Sequence, residues 1–259
     1  MKRVIILIFF VFGAIGMAQD VKPAFEPGEW LKFRLHYGFL NASYATLHVK
    51  SAMIGDKSVH RVVGHGATTG FASIFFKVDD KYESYFDIKD GKPYKFIRKT
   101  NEGGYTKDIE INFDHDQDKA VLNDKKNEKK LNFEFQDDIH DLISAFYFLR
   151  NHFDAKDLVK GESIELKLLY DDDGFFDFKL KYLGKQIINT KYGNVECLKF
   201  RPLVQSGRVF KEEEALSLWV SNDDNKIPIR IKADLAVGSI KADIDGYNGL
   251  KHQFKIIMD

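Results

Sequence analysis

Cysteine is nearly missing. The 259-residue chain has one, Cys197, so no disulfide can form within it and the fold must stand on packing. Cys197 sits in the alternating stretch Val195–Phe200 and reads as a small apolar core residue, since no base stands beside it in sequence. Proline is scarce at five residues, and no Pro/Gly-rich linker separates two domains. Neither sign of charge is in excess: Lys+Arg and Asp+Glu are both 39. No global field recruits nucleic acid, and no Arg block with interleaved aromatics supplies a local one. Beyond the N-terminus no run is long and apolar enough to span a bilayer, which takes about 20 residues.

Catalytic and cofactor signatures are missing too. There is no Gly-x-Ser-x-Gly elbow and no P-loop, and Gly64-His65-Gly66 lacks the third glycine and following helix of a dinucleotide site. The acidic run Asp114–Asp118 resembles the opening of a calcium loop. Its sixth and twelfth positions are Lys119 and Lys125, where Gly and Glu are needed, so the match fails. The eight histidines do not fall at metal-ligand spacing. No cofactor and no metal site is expected. Asp171-Asp172-Asp173-Gly174 and Asn222–Asn225 are explained as hairpin turns, where Asp and Asn tolerate unusual dihedrals.

Aromatic residues are plentiful, with 23 phenylalanines. Together with many β-branched residues they favour sheet over helical bundle. The N-terminus opens with Lys2 and Arg3, an apolar run Val4–Ile15, and Gly16-Met17-Ala18. That pattern predicts a secretory signal peptide, residues 1–18, cut after Ala18. Residue 19 is Gln rather than Cys, so no lipoprotein anchor is expected. The mature chain, 19–259, reads as one β-rich domain, exported to the periplasm and either soluble or peripheral to the outer membrane.

Most of the chain alternates with period 2. Leu31, Phe33, Leu35 and Tyr37 oppose Lys32, Arg34 and His36; Ala45, Leu47 and Val49 follow in a second strand. Lys89-Asp90-Gly91-Lys92 carries a hairpin signature. Asp114–Lys130 reads as a charged loop. The second half is a meander, in which Ile227, Ile229, Ile231, Ala233 and Leu235 alternate almost perfectly, ending in a strand over Gln253–Ile257. Only Asp137–Phe153 keeps a helical rhythm, through Ile139, Leu142, Ile143, Phe146, Leu149 and Phe153, with Asp137 or Asp138 as its cap. The predicted fold is mainly β: a large curved antiparallel sheet, a half-barrel or open barrel, with one central amphipathic helix at about 137–153. A helix only partly fills a concave face, and what stays uncovered would be an apolar cleft.

Two groups are singled out as candidate ligand-binding residues. Phe71, Ile74 and Phe75 lie in an apolar run without alternation. The plainer reading is a buried corner between strands; the sharper one is an aromatic lip on an apolar cavity. Ser144, Tyr147 and Arg150 lie on the helix. The plainer reading is a satisfied polar edge, with Arg150 able to pair with Asp154. The sharper one is a polar anchor for a ligand headgroup at the end of an apolar groove.

Two clusters resemble a known family. The first is Phe25-Glu26-Pro27-Gly28-Glu29 with the helix Asp141–Arg150. The second is Leu218–Asp223 followed by Ile227-Pro228-Ile229-Arg230. Both resemble the exported bacterial family DUF3108, a domain of unknown function, across essentially the whole mature chain. The resemblance carries no catalytic residues. It implies an exported β-rich protein, broadly similar in architecture to half-barrel lipoprotein carriers of the LolA type. The expected role is non-enzymatic binding of an apolar or amphipathic ligand, a lipid or lipoprotein, on the concave face. Alternatives are an assembly factor for envelope proteins and a hydrolase of envelope glycans or esters.

Overall fold

A computed structural model describes residues 22–70, 73, 76–136, 138–203 and 216–257. The alternating segments form β1 (Trp30–Tyr37), β2 (Leu40–Ile54), β3 (Lys57–Thr68), β4 (Asp79–Asp87), β5 (Pro93–Glu102), β6 (Tyr105–Asp114), β7 (Lys119–Asp124) and β8 (Lys129–Glu134). A two-residue strand β9 (Ile139–His140) and the helix α1 (Leu142–His152) follow. The second meander is β10 (Ser163–Leu168), β11 (Phe176–Thr190), β12 (Gly193–Leu203), β13 (Leu216–Ser221), β14 (Pro228–Asp234) and β15 (Ser239–Asn248).

All fifteen strands share one sheet, in the order β8-β7-β6-β5-β4-β3-β2-β1-β15-β14-β13-β12-β11-β10-β9. Neighbours are antiparallel except β9 and β10, which run parallel with α1 as their connection. A sheet of this size must coil. Bulges at Lys32/Phe33, Leu35/His36, Tyr85/Phe86, Tyr182/Gly184 and Trp219/Val220 bend it further. The sheet does not close into a barrel, because β8 and β9 are unpaired with each other. Only Phe135–Asp138 separates them in the chain, so the two edges stay close. Side chains bridge the opening. Asp171, after β10, takes Arg98 of β5 at 2.5 Å and also Lys107 of β6, while Asp172 takes Lys107 at 2.6 Å. Phe133 of β8 meets Phe175 edge-on at 5.7 Å.

The helix is shorter than its sequence rhythm predicts. Asp141, not Asp137 or Asp138, is the cap: its Oδ1 accepts from Ile143 N at 2.8 Å and Ser144 N at 2.9 Å. Asp137 lies outside the described residues. Ile139 is fully buried in β9, opposite Lys167 of β10. Two further expectations are corrected. The charged stretch Asp114–Lys130 contains β7, whose Ala120 and Leu122 are fully buried. Gln253–Ile257 is not a strand and makes only one bridge, Ile257 to Asn194.

Burial follows from this arrangement. Ile143 and Tyr147 of α1 pack with Phe25, Val49, Val62, Phe86 and Phe96. Leu149 packs with Leu180, Leu198, Phe200 and Val220. Each such side chain contributes roughly 1.5–3 kcal/mol, enough to dock the helix firmly. Gly64 of β3 lies close under Leu47 of β2: a Cβ there would stand 3.3 Å from Leu47 Cδ2, and 3.8 Å from Ile143 Cδ1 of α1, an ordinary contact. A third cluster, around Leu31, Phe33, Trp219, Ile229 and Ile244, contains Cys197. Burial pushes its thiol up to about 12, in keeping with an inert core residue.

Candidate functional site

Ser144, Tyr147 and Arg150 of α1 are buried. Ser144 completes a capping box: its hydroxyl accepts from Asp141 N at 2.9 Å, while Ser84 of β4 donates to Asp141 Oδ2 at 2.6 Å. Asp141 is fully buried, and burial pushes its carboxyl up to about 6 although several donors oppose the shift.

Arg150 is 1% exposed and Glu29, one residue before β1, is 0% exposed. They form a fork, Nη1 to Oε1 and Nη2 to Oε2, each at 2.6 Å. The remaining donors of Arg150 reach Asn225 O at 3.0 Å and Ala24 O at 3.5 Å. Tyr147 donates to Glu29 Oε1 at 3.4 Å. Burial opposes the charge on the Arg150 guanidinium, but the Glu29 carboxylate outweighs it and raises its pKa; burial likewise holds the Tyr147 hydroxyl protonated. Phe25, Phe146 and Tyr147 ring the guanidinium at 5.0–5.5 Å. Lys226 Nζ caps the helix end by donating to Arg150 O at 2.9 Å. Arg150 therefore pairs with Glu29 and not with Asp154, and its guanidinium is taken up by internal acceptors. The network ties α1, the segment before β1 and the β13–β14 turn into one unit. These are the regions whose sequences carry the family resemblance. Ser144, Tyr147 and Arg150 thus each have hydrogen-bond partners within the protein. Phe71, Ile74 and Phe75 lie outside the described residues.

Among the described residues, the concave face is filled near α1 and carries exposed apolar side chains further along. Directly opposed residues of antiparallel strands share a face. Leu218, Ile231, Ala242 and Leu35 form one such row across β13, β14, β15 and β1. Leu218 packs in the cluster that holds Leu149 of α1, so this is the face that bears the helix. The next row toward the β1–β2 and β14–β15 turns is Leu216, Ala233, Ile240, Tyr37 and Leu40. Ile231, Ile240, Tyr37 and Leu40 are exposed, as is Leu235 beyond them. An apolar strip therefore runs out of the core into solvent. The alternation Ile227–Leu235 was its signal: it continues beyond Ile227 and Ile229, which are buried, to Ile231 and Leu235, which are not.

A separate open cleft of about 550 Å³ is polar, lined by Arg34, Asn41, Tyr44, Lys191, Arg230 and Asp243 among others. Most of its charge is internally matched. Asp243 takes His36 at 2.8 Å and also Arg230, and Lys191 takes Asp245 at 2.9 Å. Elsewhere, the Glu102 carboxyl is raised by a hydrogen bond with Asp80 and by burial. Among the described residues no group of three or more His, Cys, Asp or Glu side chains could hold a metal ion. No helix described is long and apolar enough to cross a membrane.

An unclosed antiparallel sheet wrapped on one helix, with a helix-anchoring ion pair at its centre, is a barrel-like β protein. The chain belongs to the family described as protein of unknown function (DUF3108), whose model matches residues 32–245. The fold is similar to that of a beta-barrel-like protein of domain of unknown function DUF1849 from Brucella abortus. The TM-score is 0.53 at 10% identity, over 86% of this chain and 98% of that one. A Bacteroides fragilis protein described as a candidate exported protein with a YmcC-like fold gives a TM-score of 0.35 at 9% identity, over 86% and 97%. No curated protein matches the chain.

Proposed function

We propose that the protein binds an apolar or amphipathic ligand, a lipid or the acyl chains of a lipoprotein, on the bare part of its concave face. The reading places it in the cell envelope, exported through the cleaved segment 1–18, and assigns it no bond-breaking step. One observation carries it: the strip through Ile231, Ile240, Tyr37 and Leu40 continues the helix-bearing face yet is exposed. Exposed apolar surface continuous with a core is costly to leave in water and typifies ligand grooves.

Native mass spectrometry of protein extracted from the envelope tests this. A lipid-sized adduct is expected, lost in Ile231→Asp and Ile240→Asp while circular dichroism stays unchanged. A clean apo mass that gains no lipid on incubation with phospholipid overturns it. An assembly factor would instead bring down envelope proteins through the same strip, with no adduct. A hydrolase needs a pair of reacting side chains converging in a cleft, and turnover of glycan or ester substrates would reveal it.

A further inference from the structure

We infer that the paired tips of the β1–β2 and β14–β15 hairpins dock the protein on a bilayer surface carrying anionic headgroups. Phe39 at the first tip is 92% exposed, Leu40 beside it 59%, and Val237 at the second tip 77%. Turn tips ordinarily carry Gly, Asn, Asp, Ser or Pro. Large apolar residues at two adjoining tips break that local rule, and such breaks concentrate where a protein functions.

The two tips are held together. Tyr37 Oη donates to Val237 O at 3.0 Å, and Tyr37 lies opposite Ile240 in the β1–β15 pairing. Gly238, at φ +74°, has no room for a Cβ, which would sit 2.7 Å from Tyr37 Oη. Phe39, Leu40 and Val237 thus project as one rigid wedge rather than as two independent loops. A wedge suits a soft, laterally extended partner, the interfacial region of a bilayer, better than it suits a pocket.

Charge fixes the occupant further. On the face opposite the apolar strip, behind the terminal Asp234–Ser239 pair, Lys232 lies directly opposite Lys241, which lies directly opposite His36. Like charges directly opposed across a sheet destabilise it. Lys232 has a partner in Asp234 and the buried His36 one in Asp243, each at 2.8 Å. Arg34, one row further back on that face, hydrogen-bonds Asn41 at 3.0 Å. Neither Arg34 nor Lys241 has a carboxylate within ion-pair reach among the described residues. An anionic lipid surface met by the wedge would supply the counter-charge that Arg34 and Lys241 lack. The inference stands on the tips and this basic row, and does not require a ligand in the concave strip.

Flotation of the purified protein with two vesicle types tests it: phosphatidylcholine alone, and phosphatidylcholine with phosphatidylglycerol. Co-flotation is expected, stronger with phosphatidylglycerol. F39S/V237S should weaken it by more than about tenfold, from the lost burial of two apolar side chains. K232E/K241E should abolish the preference for phosphatidylglycerol. F39S/V237S should match wild type in native mass spectrometry, keeping the adduct expected there, which separates this inference from the ligand reading. The inference fails if wild-type protein floats with neither vesicle or if F39S/V237S floats as well as wild type. It also fails if F39S/V237S turns a dimer into a monomer in sedimentation without changing flotation, for then a second copy covers the wedge.

Discussion

Arg150 and Glu29 are 121 residues apart in the chain and meet as a two-pronged ion pair with almost no solvent contact. A buried pair like this stabilises little compared with apolar residues of equal volume, but leaving one member alone is costly. Arg150→Met strands the Glu29 carboxylate and should lower unfolding free energy by about 3–5 kcal/mol. Glu29→Met strands the guanidinium with a similar loss. The double variant should lose clearly less than the sum of the two. Urea titrations of all four proteins measure this, and additive losses would show that the pair is not coupled.

The Cys197 thiol should stay silent. Burial holds it near 12, so almost no thiolate exists at neutral pH. A thiol-reactive chromophore added to native protein should release no signal on a timescale of minutes, and one equivalent once urea unfolds the chain. Prompt native labelling would overturn the packing around it.

Two adjacent residues should pull stability in opposite directions with pH. Burial lowers the His140 imidazole to about 4 from 6.5, against opposition from Asp138. The folded chain then binds fewer protons than the unfolded one between those values, and stability rises with pH across that window. Burial raises Asp141 to about 6 from 3.8. Here the folded chain holds a proton that the unfolded one releases, so stability falls as pH rises from 3.8 to about 6. Relative to wild type, His140→Asn should become progressively less stable between pH 4 and 6.5. Asp141→Asn should become progressively more stable between pH 4 and 6. Each change should be on the order of 2 kcal/mol across its window. Thermal melts across this range decide it, and parallel curves for variant and wild type would refute the assignment.

The unclosed seam should loosen when its ion pairs go. D171N/D172N removes the carboxylates that hold Arg98 and Lys107. Faster amide exchange is expected in β8 and β10, with a global loss of about 1–2 kcal/mol from partly buried cationic groups that lose their carboxylates. Exchange that rises evenly through the whole sheet would instead mean that the seam is not a separate weak point.

Much of the architecture was legible because the period of apolar residues carries it. Strands announced themselves by alternation and the helix by its one break from alternation. The helix start was misplaced because Ile139 satisfies a helical spacing and a strand contact equally well. β7 was missed because six residues with only two apolar inward side chains, Ala120 and Leu122, leave too short a pattern among charges. The partner of Arg150 was beyond local reach: nothing near Arg150 in sequence points to Glu29, and Asp154 stood one turn away as a decoy. The apolar strip was written in the β14 alternation, but alternation tells which side a residue faces and not whether that side is covered.

The sheet's free edges, β8 and β9, lie mid-chain, while its first and last strands, β1 and β15, pair at its centre. His36 of β1 reaches Asp243 of β15 across 207 residues. A chain threaded outward from its N-terminus would expose β1 with only one neighbour until the final strand emerged. The last of these strands to arrive would be the one that seats the first, so β1 keeps an open hydrogen-bonding edge until β15 forms.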